Sequence, residues 1–197
     1  MKKLKTILAC LIVASFVSCD NDNDPNNNVC DETYASVAGS NVFTPANGYQ
    51  MEETMDLLIH EYTMIVNASG EICSIGYQNA AAYAGAYKME VENMTTNITS
   101  TENLSFSQAD LEYKPLTVPL VVNAGDTIVV RRTFTNTYTS ADEITGNLYM
   151  HPFFAPIVFP IPINPNATLI GTRFSSPGGS TNNDCAIPVI GVGFKLN

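Results

Sequence analysis

The chain has 197 residues, enough for one domain of ordinary size with a real core. It carries 9 Lys and Arg against 19 Asp and Glu, a formal net charge of −10. This acidic balance argues against nucleic acid, whose phosphates need a basic patch, and against electrostatic docking on anionic lipid.

The first residues have the composition of an export signal. Met1 to Lys5 carries three lysines, and the run from Thr6 to Val17 is almost wholly apolar. That run is too short to span a hydrocarbon core, which needs about 20 residues. A basic start, a short apolar run and the small Ser18 therefore predict a cleaved signal peptide over residues 1–18. Its removal takes away the three leader lysines, which leaves 6 basic against 19 acidic residues, a net charge of −13.

A cysteine follows the small residue at the end of this leader. The stretch Phe16-Val17-Ser18-Cys19 resembles the lipobox of bacterial lipoprotein signal peptides. The resemblance implies cleavage before Cys19, which then carries a diacylglyceryl thioether and an N-acyl chain. We therefore expect lipidation at Cys19 and an outer-membrane lipoprotein, facing either the periplasm or the cell surface. The alternative is an ordinary signal peptide cut near Ser18, which would leave a soluble protein.

A polar tether is predicted between this cysteine and the folded part. Residues 20–28 read DNDNDPNNN and contain no apolar side chain, so they cannot contribute to a core. The spaced aspartates resemble a calcium loop, but Pro25 stands where such a loop needs glycine. We predict a disordered tether over residues 19–29 and a single folded domain over 30–197.

Three cysteines remain after the signal peptide and the lipid site are set aside. A bridge between Cys30 and Cys185 would join the two ends of the domain, and the chain-entropy description gives it about 4–5 kcal/mol. An exported protein meets the oxidising conditions that such a bridge requires. The alternative is three free thiols. Cys73 lies between apolar residues of a predicted strand, which indicates packing only.

Short β-favouring runs separated by turn residues occupy the predicted domain. Tyr87 to Met94 alternates apolar and charged residues, as a half-buried strand does. The turn Asn123-Ala124-Gly125-Asp126 predicts a hairpin between the runs on either side of it. Residues 51–62 also fit a helical stripe, and 175–184 reads as a long loop. The predicted strands are 57–66, 71–78, 87–94, 104–107, 116–122, 127–134, 144–151, 157–163 (an edge strand or extended loop, because of its prolines), 168–174 and 187–196.

This spacing predicts an all-β fold, a single antiparallel β-sandwich of jelly-roll type. Several short stretches, in order along the chain, resemble an uncharacterised family of bacterial lipoproteins with a jelly-roll domain of unknown function. The resemblance implies the sandwich and carries no catalytic or binding residues. The stretches are Gly48-Tyr49, Ile75-Gly76-Tyr77, Tyr87-Lys88-Met89-Glu90, Asn123-Ala124-Gly125-Asp126, Arg132-Thr133 and the terminal run from Ile187 to Lys195.

No motif in the sequence predicts catalysis. The two histidines, His60 and His151, lie far apart and lack the spacing of a helical zinc site. There is no G-x-S-x-G elbow, Walker loop or G-x-G-x-x-G. We predict no enzyme, no cofactor and no metal. A pair of glycosidase acids among the glutamates stays open as a lesser alternative; those weighed are Glu52, Glu53, Glu61, Glu71, Glu90 and Glu92.

Ligand binding is the favoured function, with a carbohydrate-like ligand. Jelly rolls hold sugars between aromatic planes and amide groups, and two such groups of residues occur here. The candidates are Tyr77, Tyr83 and Tyr87 for the planes, and Asn182, Asn183 and Asp184 for the polar contacts. The alternative places the tyrosines at the edge of the core and the Asn and Asp residues in a turn.

The remaining expectations concern partners and modification. A structural or adhesin-type interaction protein, without a small-molecule ligand, is the second functional class. Its contact surface would be the Pro-rich stretch from Met150 to Pro162, with Phe153 and Phe154 exposed. The expected partners are membrane lipid through the acyl anchor and a glycan or another surface protein. Asp126-Thr127-Ile128 resembles a bacterial O-glycosylation sequon, which makes Thr127 a candidate acceptor.

Overall fold

Antiparallel strands make up most of the computed structural model, which describes residues 29–55, 57–135, 145–176 and 179–197. The predicted signal peptide, the lipidation site Cys19 and the tether up to residue 28 lie outside the described residues. The strands are β1 (Gln50–Thr54), β2 (Ile59–Val66), β3 (Gly70–Tyr77), β4 (Tyr87–Asn93), β5 (Ile98–Leu104), β6 (Glu112–Val122), β7 (Thr127–Phe134), β8 (Gly146–Met150), β9 (Ile161–Asn164), β10 (Ala167–Ser175), β11 (Thr181–Asn183), β12 (Ile187–Pro188) and β13 (Gly191–Leu196), with short 3-10 turns at Pro45–Asn47 and Pro152–Phe154.

These strands form three antiparallel sheets. The largest runs in the order β11-β10-β2-β7-β4-β5, with β9 added beside β10. A second sheet runs β13-β3-β6, and a third runs β1-β8-β12. The described part of the chain is therefore all-β and resembles a sandwich, as the sequence predicted at that level.

The core lies between the seven-stranded sheet and the sheet formed by β13, β3 and β6. Tyr62 and Met64 of β2 share one apolar cluster with Ile72 and Ile75 of β3. The alternation in β4 confirms the predicted half-buried strand. Its buried side is formed by Tyr87, Met89 and Val91, and its outer side by Lys88, Glu90 and Glu92.

The predicted hairpin at Asn123–Asp126 is wrong. Strand β6 pairs with β3, whereas β7 pairs with β2 and β4, so this turn carries the chain from one sheet to the other. The turn is fixed from the side, because Gly125 donates its N–H to the Val66 carbonyl. The Asp126 carboxylate also accepts from the Asn123 N–H and from the Asn93 amide. Turn residues thus marked the reversal but not the partner of the next strand.

Several strand boundaries differ from those predicted. Gln50–Thr54 is a strand rather than the start of a helix, and it pairs with β8. The predicted strand 104–107 lies earlier, as β5, and the predicted loop 175–184 includes the three-residue strand β11. The Pro-containing segment at Ile161–Asn164 is an edge strand that pairs only with β10 among the described strands.

The disulfide also differs from the prediction. Cys30 bonds to Cys73, and Cys185 is a free thiol. Cys73 is the extra residue of a β-bulge, since Ile72 and Ser74 pair with the adjacent residues Phe194 and Gly193 of β13. Cys73 alternates with the buried Ile72 and Ser74, so it points to the other side of the strand, where it is only partly buried and meets Cys30. Cys185 instead precedes the buried Ala186.

Candidate functional site

A row of charged side chains crosses the outer face of the seven-stranded sheet. Arg173 of β10 is in register with Glu61 of β2, Glu61 with Arg131 of β7, and Arg131 with Glu90 of β4. Each of these residues alternates with a core residue of its own strand, so strand pleating sends all four to the same side. Opposite charges therefore face each other across four neighbouring strands.

Glu61 is the centre of this row. Its carboxylate accepts hydrogen bonds from Arg173 Nε at 2.9 Å and Arg173 Nη2 at 2.8 Å, and from Arg131 Nε on the other side. The two-point contact fixes the position of the Arg173 guanidinium, while Arg131 is bound to Glu61 through one nitrogen. The Glu61 side chain is only 8% exposed, whereas that of Arg173 is 45% exposed and open to solvent on one side.

Arg131 links Glu61 to the strand on its other side. Its Nη1 lies 3.7 Å from a Glu90 oxygen, and its Nη2 lies 3.5 Å from a Glu92 oxygen. Lys88 closes the row with a 2.8 Å contact to Glu90. Three cations and three carboxylates are thus held in one network on a strongly acidic protein.

The network lowers the pKa of the Glu61 carboxyl. Burial would raise this pKa, but hydrogen bonds from Arg173 and Arg131, together with their positive charges, outweigh burial and hold it below its usual value. The same contact raises the pKa of Arg173, mainly through its hydrogen bond to Glu61. Glu61 and Arg173 are therefore both charged at neutral pH.

A shallow cleft of about 590 Å³ lies over one side of this row. It offers carboxylate acceptors, guanidinium donors and threonine hydroxyls, next to the thioether of Met94 and the methyl groups of Val129. This mixture suits a ligand that has both hydroxyl groups and C–H faces. The residues that line it are Glu61, Thr63, Glu92, Met94, Thr95, Thr127, Val129, Arg131 and Arg173.

The predicted tyrosine platform is wrong, because Tyr77, Tyr83 and Tyr87 are buried in the core. The Tyr83 and Tyr87 ring centroids are 4.9 Å apart, and Tyr77 meets Tyr87 edge to face at 5.4 Å. Burial raises the pKa of Tyr87 well above its usual value. Tyr87 shares its side of β4 with Met89 and Val91, so the strand period directs it inward. None of the three presents a face to a sugar.

The buried side of the same strands holds an unexpected polar pair. The Arg132 guanidinium lies 4.9 Å from the Tyr87 ring and donates through Nη2 to His60 Nδ1 at 2.9 Å. A guanidinium only donates, so the His60 proton sits on Nε2 and is given to the Met55 carbonyl at 3.2 Å. Burial first, and the Arg132 charge second, lower the pKa of His60 well below its usual value. His60 is thus a neutral structural residue at neutral pH.

The predicted polar loop has two different parts. Asn182 and Asn183 are exposed on the edge strand β11. Asp184 adopts a left-handed backbone, with φ of 56°, and its carboxylate accepts the Thr172 N–H at 2.9 Å. Asp184 therefore shapes a turn, as the alternative proposed. Asn182 borders a second pocket of about 360 Å³, which is otherwise formed by Met55, Leu57, Phe154 and Cys185.

Thr127, the candidate O-glycosylation site, opens β7 and is half-buried in the wall of the charged cleft. Its N–H donates a hydrogen bond to the Thr95 hydroxyl oxygen across that wall. A modification at Thr127 stays a prediction. A glycan attached there would occupy the cleft itself, so ligand binding and modification at this residue would exclude each other.

The charged row was missed as a unit by sequence reasoning. Glu61 and Glu90 were considered only among the acids that could form a glycosidase pair, and Arg131 and Arg173 were not considered at all. A clear signal was present only for Glu90, which lies between the apolar Met89 and Val91 and so points away from the core. Glu61, Arg131 and Arg173 each have one polar neighbour, namely His60, Arg132 and Thr172, which obscured the alternation of their strands. What the sequence lacked was the strand order that puts them side by side.

Within the described ranges, there is no group of three His, Cys, Asp or Glu residues placed to hold a metal ion. No helix in that part of the chain is long and apolar enough to cross a membrane. Compared with known proteins, the chain matches no family model, and no curated protein is significantly similar to it.

Proposed function

We propose that this chain is an exported lipoprotein, held at the outer membrane by acyl chains on Cys19, that binds a polar, carbohydrate-like ligand. The ligand lies in the cleft over the charged row on the outer face of the seven-stranded sheet. The domain over residues 30–197 is a jelly-roll sandwich, and it belongs with the uncharacterised lipoproteins that its short motifs resemble. The protein is not an enzyme in this proposal.

The observation that carries the binding proposal is the fixed geometry of Glu61, Arg131 and Arg173 beneath an open cleft. A preorganised set of donors and acceptors loses little entropy when a ligand arrives. Hydroxyl groups pair well with both guanidinium and carboxylate groups, and Met94 with the threonine methyls gives the C–H faces an apolar contact. In this proposal the sugar contacts the outer face of the seven-stranded sheet instead of the buried tyrosines.

Arg173 is the residue to test, because it combines solvent access with a fixed position. A glycan array identifies a ligand, and calorimetry then compares wild type with Arg173→Gln. We expect affinity to fall by about 10- to 100-fold, the loss typical of a hydrogen bond to a charged group. Lys195→Gln is the matched control, since it removes one partly exposed cation, which pairs with Glu71 on the β13-β3-β6 sheet.

The binding proposal fails if the array and calorimetry give ligands whose affinity is unchanged by Arg173→Gln. It fails equally if Lys195→Gln weakens binding by the same factor, because the effect would then come from total charge.

The lipid anchor has a separate test. Cells that express the full chain are labelled with radioactive palmitate, and the protein is recovered with and without globomycin. We expect label in wild type and in Cys10→Ala, which alters only the signal segment, and no label in Cys19→Ala. Equal labelling of Cys19→Ala, or processing that is unaffected by globomycin, would remove the anchor from the proposal.

A second candidate function is that of an interaction protein without a small-molecule ligand. The specific observation in its favour is Phe153, which is 99% exposed. An array without hits, combined with capture of a surface protein that Phe153→Ser abolishes, would favour this second function.

A further inference from the structure

Two consecutive phenylalanines project from the segment that follows β8. Phe153 and Phe154 both have left-handed backbones, with φ of 60° and 54°, a conformation that non-glycine residues seldom adopt. The turn that holds them is closed by hydrogen bonds from the Phe154 N–H to the His151 carbonyl and from the Ala155 N–H to the Pro152 carbonyl. We name residues 152–156 the aromatic tip. Its backbone directs Phe153 wholly into solvent.

The aromatic tip is held in place by hydrogen-bonded and packed neighbours. The Ile157 N–H bonds to the Asp184 carbonyl at 2.7 Å, and Ile157 itself is buried. Phe154 forms one wall of the apolar pocket of about 360 Å³, next to Met55 and Leu57. The exposed Phe153 is therefore held out by packed neighbours, and it is not the end of an unsupported loop.

The segment of chain that carries the tip is rich in apolar residues and has no acidic side chain, lysine or arginine. No Asp, Glu, Lys or Arg occurs between Glu143 and Arg173 in a chain that otherwise has 28 such residues. Val158, two residues beyond the tip, is 83% exposed. Exposed aromatic and aliphatic groups with few charges are the composition that favours the interface of a bilayer.

We propose that the aromatic tip inserts into the interface of the membrane that carries the acyl anchor, so that the domain docks on the lipid with a fixed orientation. This inference rests on the proposed lipid anchor. The occupant of this surface is the bilayer itself, contacted first by Phe153, with the exposed Phe154 and Val158 following along the same segment. The tip would add a second, purely apolar contact to the acyl chains.

The length of chain before the domain makes this contact possible. Ten residues lead from Cys19 to Val29, and a fully extended chain of that length spans at most about 36 Å. A domain of this size is about 40 Å across, so its surface stays within reach of the bilayer. The anchor thus keeps the tip at a high local concentration near lipid, where a weak contact suffices.

Charge decides in favour of an apolar contact over an electrostatic one. The mature chain would carry a net charge of −13, which repels anionic headgroups. Basic residues cannot hold this domain on the membrane, so the uncharged tip is the part of the surface best suited to touch it. Zwitterionic lipid should serve as well as any other.

The chain contains no tryptophan, so a single introduced tryptophan reports on its own position alone. Phe153→Trp places a single fluorophore at the tip of the full acylated protein, reconstituted into phosphatidylcholine vesicles with brominated acyl chains. Val118→Trp is the matched control, at a 67% exposed position on β6. We expect the emission of the Phe153→Trp protein to shift to shorter wavelength and to be quenched about twofold by bromine, with that of Val118→Trp unchanged.

Vesicle flotation separates this inference from the anchor on which it rests. If both variants float with the vesicles but Phe153→Trp is not quenched, the inference is wrong and the anchor stands. If neither floats and neither is quenched, the anchor and the inference are both overturned. An emission shift of Phe153→Trp that grows with protein concentration in the absence of lipid would instead identify a protein partner, including a second copy, and would overturn the membrane contact.

Discussion

Tyr113 lies over two glycines of the sheet formed by β13, β3 and β6. Gly76 of β3 is in register with both Tyr113 of β6 and Gly191 of β13. The Tyr113 hydroxyl bonds to the Ser36 hydroxyl at 3.0 Å and to the Glu32 carbonyl at 3.2 Å, which ties the ring down over the glycines. An aromatic ring that covers strand glycines in this way replaces the packing that their missing side chains would provide.

We expect Gly76→Ala to destabilise the protein by about 1–3 kcal/mol, the usual effect of overpacking. A Cβ at Gly76 would lie 2.6 Å from Tyr113 Cε1, and the ring cannot move without losing its hydrogen bonds. Urea denaturation measures the change. Gly171→Ala in β10 is the control, because its Cβ would meet nothing closer than 3.6 Å. Equal stability of the two variants would contradict this account of Tyr113.

His60 makes folding depend on pH near neutrality. Its pKa is lowered well below the ordinary 6.5 by burial and by the Arg132 charge. Below pH 6.5, His60 therefore binds a proton in the unfolded chain but stays neutral in the folded chain. The stability that neutral His60 contributes is complete above pH 6.5 and is lost as pH falls below it. The expected slope is at most about 1.4 kcal/mol per pH unit.

The measurement is the free energy of unfolding in urea between about pH 7.5 and 5.5. His60→Gln should remove most of the slope in this range, whatever its effect on absolute stability, whereas His151→Gln should keep it. His151 is the suitable control because it lies at the surface and stacks on Tyr49. Parallel slopes in wild type and His60→Gln would contradict the buried neutral histidine.

At the scale of strands, the charged row joins β10, β2, β7 and β4 through side chains as well as through the backbone ladder. Glu61 is the shared acceptor, and its removal leaves two guanidinium groups without their main partner. Because its pKa is lowered in the folded state, the stability it contributes is present above the ordinary value of 4.5 and is lost as pH falls through the lower, folded value.

We therefore expect Glu61→Gln to destabilise the protein at neutral pH by about 1–3 kcal/mol and to flatten the loss of stability in the acid range. Urea denaturation at low salt, between about pH 5 and 3 and at neutral pH, measures both effects. Glu71→Gln is the control, because its ion pair with Lys195 is partly exposed, with 3.9 Å between the charged atoms. The same flattening in Glu71→Gln would show that overall charge, and not the row, is responsible.

The disulfide joins Cys30, which precedes the first strand, to β3, the central strand of the sheet formed by β13, β3 and β6. Cys30 and Cys73 are 43 residues apart, and a loop of that length gives about 4 kcal/mol in the chain-entropy description. We expect Cys30→Ser with Cys73→Ser, or reduction of wild type, to lower the free energy of unfolding by up to that amount. Urea denaturation with and without dithiothreitol checks this.

Cys185→Ser is the matched control for the disulfide, because it replaces the thiol that is free in the fold. It should keep the full response to dithiothreitol. A response that disappears in Cys185→Ser and persists without Cys73 would restore the Cys30–Cys185 bridge that the sequence alone suggested.

At the scale of the whole molecule, local patterns predicted most strands and their buried sides. The alternation of β4 was enough to predict that Tyr87 is buried, because Tyr87 lies on the same side of the strand as Met89. Tyr87 was nevertheless predicted to contact a ligand. Strand order was not predictable, because Asn123–Asp126 turns the chain in the same way whether β7 joins β6 or another sheet. The charged row and the disulfide both depend on that order, so both were missed.

The Cys30–Cys73 bond has a mechanical consequence for the proposed attachment of the chain by its N-terminus. Tension applied through residue 29 enters the fold at Cys30 and passes directly into β3, which lies between β13 and β6. Asp31, which shares two 2.8 Å hydrogen bonds with Phe194, lies inside the covalent loop from Cys30 to Cys73, so the tension bypasses these bonds. Under shear, the domain would therefore resist being unravelled from its attached end, and reduction of this one bond would expose it to such stretching.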